Sequence, residues 1–226
     1  YNKGGTYKKW FGNNDYLINW YDDGKEIQDL KDYELSIGKI TPNNSKCWNR
    51  DFYFKENITW SAISSGDISL RYNNFGSIFD MKGQCVFAAD KTQLLYIMGI
   101  LNSKYASEVL SLISSTMDFN AGSVSKVPIA QYENQNEIVG ISEQMINFTK
   151  ESDSQFETNT EFTGLDYLVN VNRGSIRKSL KLLDLKNAQV IEIALDFEEK
   201  LNRSVWSIYG LSNRSSKIEL EEITLE

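Results

Sequence analysis

Histidine is absent from the 226 residues. That absence removes the Ser-His-Asp and Cys-His pairings, the His-Glu-x-x-His zinc motif and the histidine general base together. Cysteine is nearly as scarce, with Cys47 and Cys85 only. Two thiolates do not complete a four-ligand zinc site, and no metal site is expected. They can form one disulfide, but a chain of this size rarely depends on one. Two free thiols in a reducing compartment are the expectation.

Long apolar runs are missing as well. The longest, near residues 94–101, is interrupted by Gly99 and falls short of the roughly 18 residues of a membrane span. Lys3, Lys8 and Lys9 are not followed by an apolar segment, so no secretory signal is expected and a cytoplasmic location is. No two glycines stand two apart, which excludes a dinucleotide-binding Gly-x-Gly turn, and no phosphate-loop pattern occurs. Pro42 and Pro128 are the only prolines, so an Asn-Pro-Pro-Tyr motif is excluded. The chain opens Tyr1-Asn2-Lys3 without Met and is read as a fragment of a longer protein.

What is present is globular: 41% hydrophobic and 24% charged residues, enough for a sizeable core. The net charge of −7 is unevenly spread. Residues 1–130 carry 14 basic and 14 acidic side chains, whereas residues 131–226 carry 10 and 17. The acidic excess therefore belongs to the second part, and the first is neutral.

Patterning divides the chain at the same place. Residues 1–130 read as α+β. A β-prone run at 16–21 ends in Asp22-Asp23-Gly24, and a short helix starts in 25–30. Period-2 patterns and breaks give strands near 57–64, 68–72, 77–80 and 84–89, forming a small antiparallel sheet. Helices follow at 92–102, capped by Asp90 or Thr92, and at 103–114, and 125–129 is extended before Pro128. Residues 131–226 read as a helical extension: an amphipathic helix at 133–150, a polar connection at 151–163, and apolar spacing from Ile176 to Val205 that 184–187 can split in two. Gly210 is placed as its stop.

Chemistry-bearing motifs are few. Glu198-Glu199-Lys200, with Asp184 and Asp196 upstream, is the one nuclease-like cluster. Helical spacing puts Glu198 and Lys200 on different faces, so a solvated helix face is the reading. The 5 Trp, 12 Tyr and 11 Phe are more informative. Some stand in loops beside amides and basic residues, as in Lys8-Lys9-Trp10-Phe11-Gly12-Asn13-Asn14 and Leu70-Arg71-Tyr72-Asn73-Asn74-Phe75-Gly76. Lys and Arg neutralise phosphates, Asn reads adenine and Arg reads guanine. The same mix suits a glycan groove, or loops closed by Asn and Gly.

Several stretches carry a resemblance. Lys3-Gly4-Gly5-Thr6-Tyr7 leading into Lys8-Lys9-Trp10-Phe11-Gly12-Asn13-Asn14 is the first, followed by Asn19-Trp20 and Asp23-Gly24-Lys25-Glu26-Ile27. Ile58-Thr59-Trp60-Ser61, Arg71, Gly76-Ser77-Ile78-Phe79-Asp80 and Leu101-Asn102-Ser103-Lys104 come next. Gly122-Ser123-Val124-Ser125-Lys126-Val127-Pro128-Ile129, Glu199-Lys200-Leu201-Asn202-Arg203 and Ile208-Tyr209-Gly210-Leu211 complete the set. In this order they resemble the region after the catalytic domain in large adenine-specific DNA methyltransferases, of the type IIG restriction-modification and BREX phage-exclusion kinds.

The resemblance implies a DNA target recognition domain over 1–130 and a helical C-terminal extension over 131–226. The fragment would bind double-stranded DNA and set specificity without catalysis or a cofactor of its own. S-adenosylmethionine and adenine flipping would belong to the missing N-terminal methyltransferase domain, its partner in the same chain. Lys3, Lys8 and Lys9 would hold phosphates. Arg71 and Lys126 lie in matched stretches and would contact DNA, with a structural ion pair the equal alternative for Arg71. Asn13, Asn14, Asn73, Asn74, Ser64, Ser65 and Asp67 sit in turns that suit base reading. Trp10, Trp20 and Trp60 read as core, and the acidic extension packs on the recognition domain or on the catalytic one. The rival readings are a glycan-binding or general interaction module, and a specificity subunit carrying recognition domains on helical spacers. A positive concave face supports DNA, and a neutral aromatic groove supports glycan.

Overall fold

A computed structural model describes the chain except residues 45, 65, 75, 114–117, 132–134, 160–161, 163, 165–174 and 224–226. The elements in order are α1 (Tyr21–Ser36), β1 (Asn57–Ser61), β2 (Leu70–Asn73), β3 (Gly83–Val86), α2 (Lys91–Leu101), α3 (Lys104–Ile113), α4 (Ala121–Val124), α5 (Asn136–Asp153) and α6 (Ile176–Ile208). Short 3-10 turns lie at Arg50–Phe52 and Leu220–Glu222. The architecture is α+β with a helical C-terminal part.

The three strands form an antiparallel sheet in the order β2-β1-β3. Register follows side-chain alternation. Ile58 faces Tyr72 and Val86 across the strands, and Thr59 faces Arg71 and Cys85. Ile58, Trp60, Leu70 and Tyr72 thus share the face that packs on α2. Asn57, Thr59, Ser61, Arg71, Asn73 and Cys85 fall on the opposite, polar face.

Helix α2 is the centre of the molecule. Leu94, Leu95, Tyr96, Met98, Ile100 and Leu101 are all buried, the all-round pattern of an interior helix. It touches β1 and β2 on one side and α3 and α5 on others. Asp90 caps it, accepting the Gln93 N–H at 2.8 Å. Gly99 lets α5 come close: a Cβ there would meet Ile138 Cγ2 at 2.4 Å.

Helix α6 is one uninterrupted helix of 33 residues, about 50 Å long at 1.5 Å per residue. The split expected at 184–187 does not occur, because no Pro or Gly breaks that stretch and Lys, Leu and Asn continue a helix. Its C-terminal half buries Ala194, Leu201, Val205 and Trp206 in the cluster that also holds Trp10, Trp60 and Leu95. One core therefore joins residues from both sides of position 130. The helix ends on Gly210 (φ 69°), with Leu211 N–H bonded to Trp206 O at 2.7 Å and Gly210 N–H to Ser207 O at 3.0 Å. That paired closure is the Schellman arrangement.

Two expected strands are absent. Residues 16–21 form no strand: Tyr16, Leu17 and Tyr21 are exposed, and β-prone side chains alone do not make a strand without an edge to pair with. The stretch 77–80 contributes only an isolated bridge, Phe79 to Asn2. The helix begun at 25 runs on to Ser36, after left-handed Asp22, Asp23 and Gly24.

Candidate nucleic-acid interface

The polar face of the sheet is covered by the N-terminal segment, residues 2–13. Asn2 N–H bonds to Ile78 O at 2.8 Å. Its side-chain amide donates to Thr59 Oγ1, and Thr59 Oγ1 donates to Gln84 O at 2.8 Å. Trp10 is held against β2 on both sides: its N–H donates to Leu70 O, and its O accepts from Tyr72 N–H, each at 2.8 Å. Trp10 has φ 72°, a conformation that costs energy for a bulky side chain. These two bonds and a third from its indole hold it there.

That third bond belongs to a buried cluster. Glu198 of α6 is 1% exposed and accepts from Trp10 Nε1 at 2.6 Å and from Lys9 Nζ at 2.7 Å. Burial alone would lower the Lys9 ammonium, but the Glu198 charge beside it holds it above its ordinary 10.5. Next to it, Lys8 pairs with Asp153 at the end of α5 at 2.6 Å. The two lysines expected on phosphates therefore tie the N-terminal segment to α5 and α6. Glu198 corrects its own expectation too. It is the acceptor of a core ion pair, not part of a solvated face.

Arg71 is a second correction. It is 1% exposed, out of a duplex's reach. Its Nη2 donates to Ser61 Oγ at 3.3 Å and its Nη1 to Lys8 O at 3.4 Å. Burial pushes the guanidinium down to about 10, so it remains charged at neutral pH. It braces the N-terminal segment against β1. Cys85 lies on the same face; burial pushes its thiol up to about 11, against opposing hydrogen bonds from Thr59 and Asn2 and the charge of Arg71.

The four asparagines converge. Asn13 and Asn14 of the N-terminal segment and Asn73 and Asn74 at the end of β2, about sixty residues apart, line one open cleft of about 160 Å3. Tyr1, Asn2, Phe11, Tyr16, Leu17 and Thr59 are among the other residues that line it. Among the described lining residues none carries a carboxylate, ammonium or guanidinium side chain. Burial and the bonded Asp80 raise the Tyr1 phenol, so it is neutral as well. Cations stand over the walls: Lys3 Nζ lies 5.0 Å from the Tyr16 ring centroid and Lys150 Nζ 5.4 Å from that of Phe11. The described lining side chains are neutral and amide-rich, and a lysine stands over each of two aromatic members.

The remaining expected residues are scattered. Lys126 is exposed just past α4 and does not line the cleft. Ser64 accepts the Gly66 N–H and donates to Asp67 O, a turn-forming role. Ser65 lies outside the described residues. Sequence reasoning missed Tyr16 and Thr59 as residues lining the cleft with the asparagines. No local signal marks them, since their proximity comes from packing of distant segments.

No family model matches the chain. The adenine-specific methyltransferase PglX of Lacticaseibacillus casei is 36% identical over 220 residues, 96% of this chain. The adenine-specific methyltransferase BrxX of Escherichia coli is 30% identical over 210 residues, 92% of it. By sequence, the chain belongs with a segment of these methyltransferases. It spans 18% of the PglX length and 16% of the BrxX length. No helix among the described residues is long and apolar enough to cross a membrane.

Proposed function

We propose that this chain is the DNA-reading part of an N6-adenine methyltransferase, with methyl transfer from S-adenosylmethionine carried by the catalytic part of the parent protein. The observation that carries the reading is the convergence of Asn13, Asn14, Asn73 and Asn74 in one cleft, in a chain related to adenine-specific methyltransferases over nearly its whole length. Phosphate contacts position a duplex and base-edge contacts specify it. An amide-rich lining beside Lys3 suits that division of labour. The acidic helical part packs behind the sheet and braces the N-terminal segment through Glu198 and Asp153.

The neutral, aromatic lining also suits sugar hydroxyls, which keeps a glycan module as the second reading. Fluorescence anisotropy of this chain with a labelled duplex, over a salt series, separates them. DNA binding requires affinity that falls linearly in log–log form with salt, by about 0.9 in slope per phosphate neutralised. Salt-independent binding to an oligosaccharide, with none to duplex, favours the rival.

A further inference from the structure

The four asparagines are not equivalent. Asn13 donates its amide to Thr6 O at 2.9 Å and sits at φ 59°. Asn73 donates its amide to Ser77 Oγ at 3.0 Å. Each of these two is committed to its own loop. Asn14 is half-buried and Asn74 exposed, and neither amide has a hydrogen-bond partner among the described residues. In both loops, then, one asparagine braces the turn and its successor is presented to the cleft.

The bracing is tight. A Cβ on Gly5 would meet the Asn13 amide at 2.6 Å. Gly76, at φ 65°, would meet the Phe54 and Lys55 backbone at 2.3–2.4 Å. Gly76, two residues after Asn74, thereby lies close against the segment before β1, and Asn13, just before Asn14, lies close against Gly5.

The chemistry of the lining selects a base. Guanine O6 and N7 call for a bidentate Arg or Lys, and cytosine N4 for a carboxylate. Adenine N7 and N6 match the donor and acceptor of an Asn amide. The described lining holds amides and no charged side chain. Resting on the DNA-reading function proposed above, we infer that Asn14 and Asn74 determine specificity by pairing with adenine edges in the major groove of the target. Asn13 and Asn73 are positioning residues that hold the two readers.

The test uses this chain and the best duplex recovered from a randomised pool. Replacing a motif adenine by 7-deazaadenine deletes the N7 acceptor and leaves Watson–Crick pairing intact. The wild-type chain then loses about 5- to 150-fold in affinity at one or two adenines, the range of a bidentate contact. Asn14→Ala and Asn74→Ala each lose a similar factor on natural DNA and become insensitive to 7-deazaadenine at one adenine. Their unfolding midpoints stay at the wild-type value, because neither side chain bonds to the described protein. Sequence-selective binding with an unchanged preference in both variants overturns this inference and leaves the DNA reading standing. A chain that binds no duplex overturns both. Equal 7-deaza sensitivity in variants and wild type also overturns the assignment.

Discussion

Replacing Glu198 by Gln changes one atom in a packed core and removes one charge. Glu198 is 1% exposed and faces Lys9 Nζ at 2.7 Å and Trp10 Nε1 at 2.6 Å. Gln keeps an acceptor for the indole but leaves the ammonium buried without its counter-charge. Removing one partner of a buried pair costs about 3–5 kcal/mol, which at about 2–4 °C per kcal/mol for a chain of this size lowers the midpoint by roughly 6–20 °C. Replacing both partners, as in Lys9→Met with Glu198→Leu, removes the charges together. That double change costs less than Glu198→Gln, although the Trp10 indole then lacks its acceptor, worth about 1–3 kcal/mol.

The pH dependence carries the sharper sign. In the wild type Lys9 is held above its ordinary 10.5. The unfolded chain releases that proton first as pH rises, so stability from the pair is full below 10.5 and declines above it. In Glu198→Gln, burial is the largest influence on the ammonium; with the Tyr7 phenol raised and neutral, only Glu222 opposes it, and the ammonium is depressed below the unfolded value. The unfolded chain then holds the proton longer, and stability rises with pH towards 10.5. Urea midpoints between pH 6 and 10 read this directly. A variant whose stability matches wild type at neutral pH, or whose profile is flat where an upward slope is required, refutes the account of the Lys9–Glu198 pair.

Other outcomes follow from the same geometry. Gly99→Ala drives a Cβ to 2.4 Å from Ile138 and costs about 1–3 kcal/mol by overpacking; a thermal midpoint at or above wild type contradicts the close α2–α5 approach. Cys85, pushed up to about 11, stays inert to a thiol reagent at pH 8 in the folded chain and reacts on unfolding; equal rates in both states count against its environment. In duplex binding, Lys3→Ala lowers the salt slope by about 0.9. Arg71→Met leaves that slope unchanged, since the guanidinium lies in the interior; a loss of slope there places Arg71 on DNA after all.

Local sequence made much of the fold legible. The period-2 runs gave β1 and β2 to within a few residues, Asp90 was readable as a cap, and Gly210 as a stop, because each rests on chemistry within one turn of chain. The failures are non-local. The run at 16–21 has strand composition but meets no sheet edge. Residues 184–187 resemble a break only when the helix-forming neighbours are ignored. Lys8 and Lys9 look like phosphate ligands in a loop, and nothing nearby in sequence announces Asp153 or Glu198, which lie more than 140 residues away. The asparagine pairs were visible as polar turns. Their meeting in one cleft, and the division into bracing and presented members, required the packing of the N-terminal segment across the polar face of the sheet.

The central claim is that this chain reads DNA sequence on its own. Selection from a pool of random-sequence duplexes, in about 0.1 M salt where long-range attraction is screened to about 10 Å, tests it most directly. The account predicts enrichment of a short motif containing at least one adenine, lost when Asn14 and Asn74 are both changed to Ala. Recovery of a pool indistinguishable from the starting one, with salt-independent or absent binding, contradicts it.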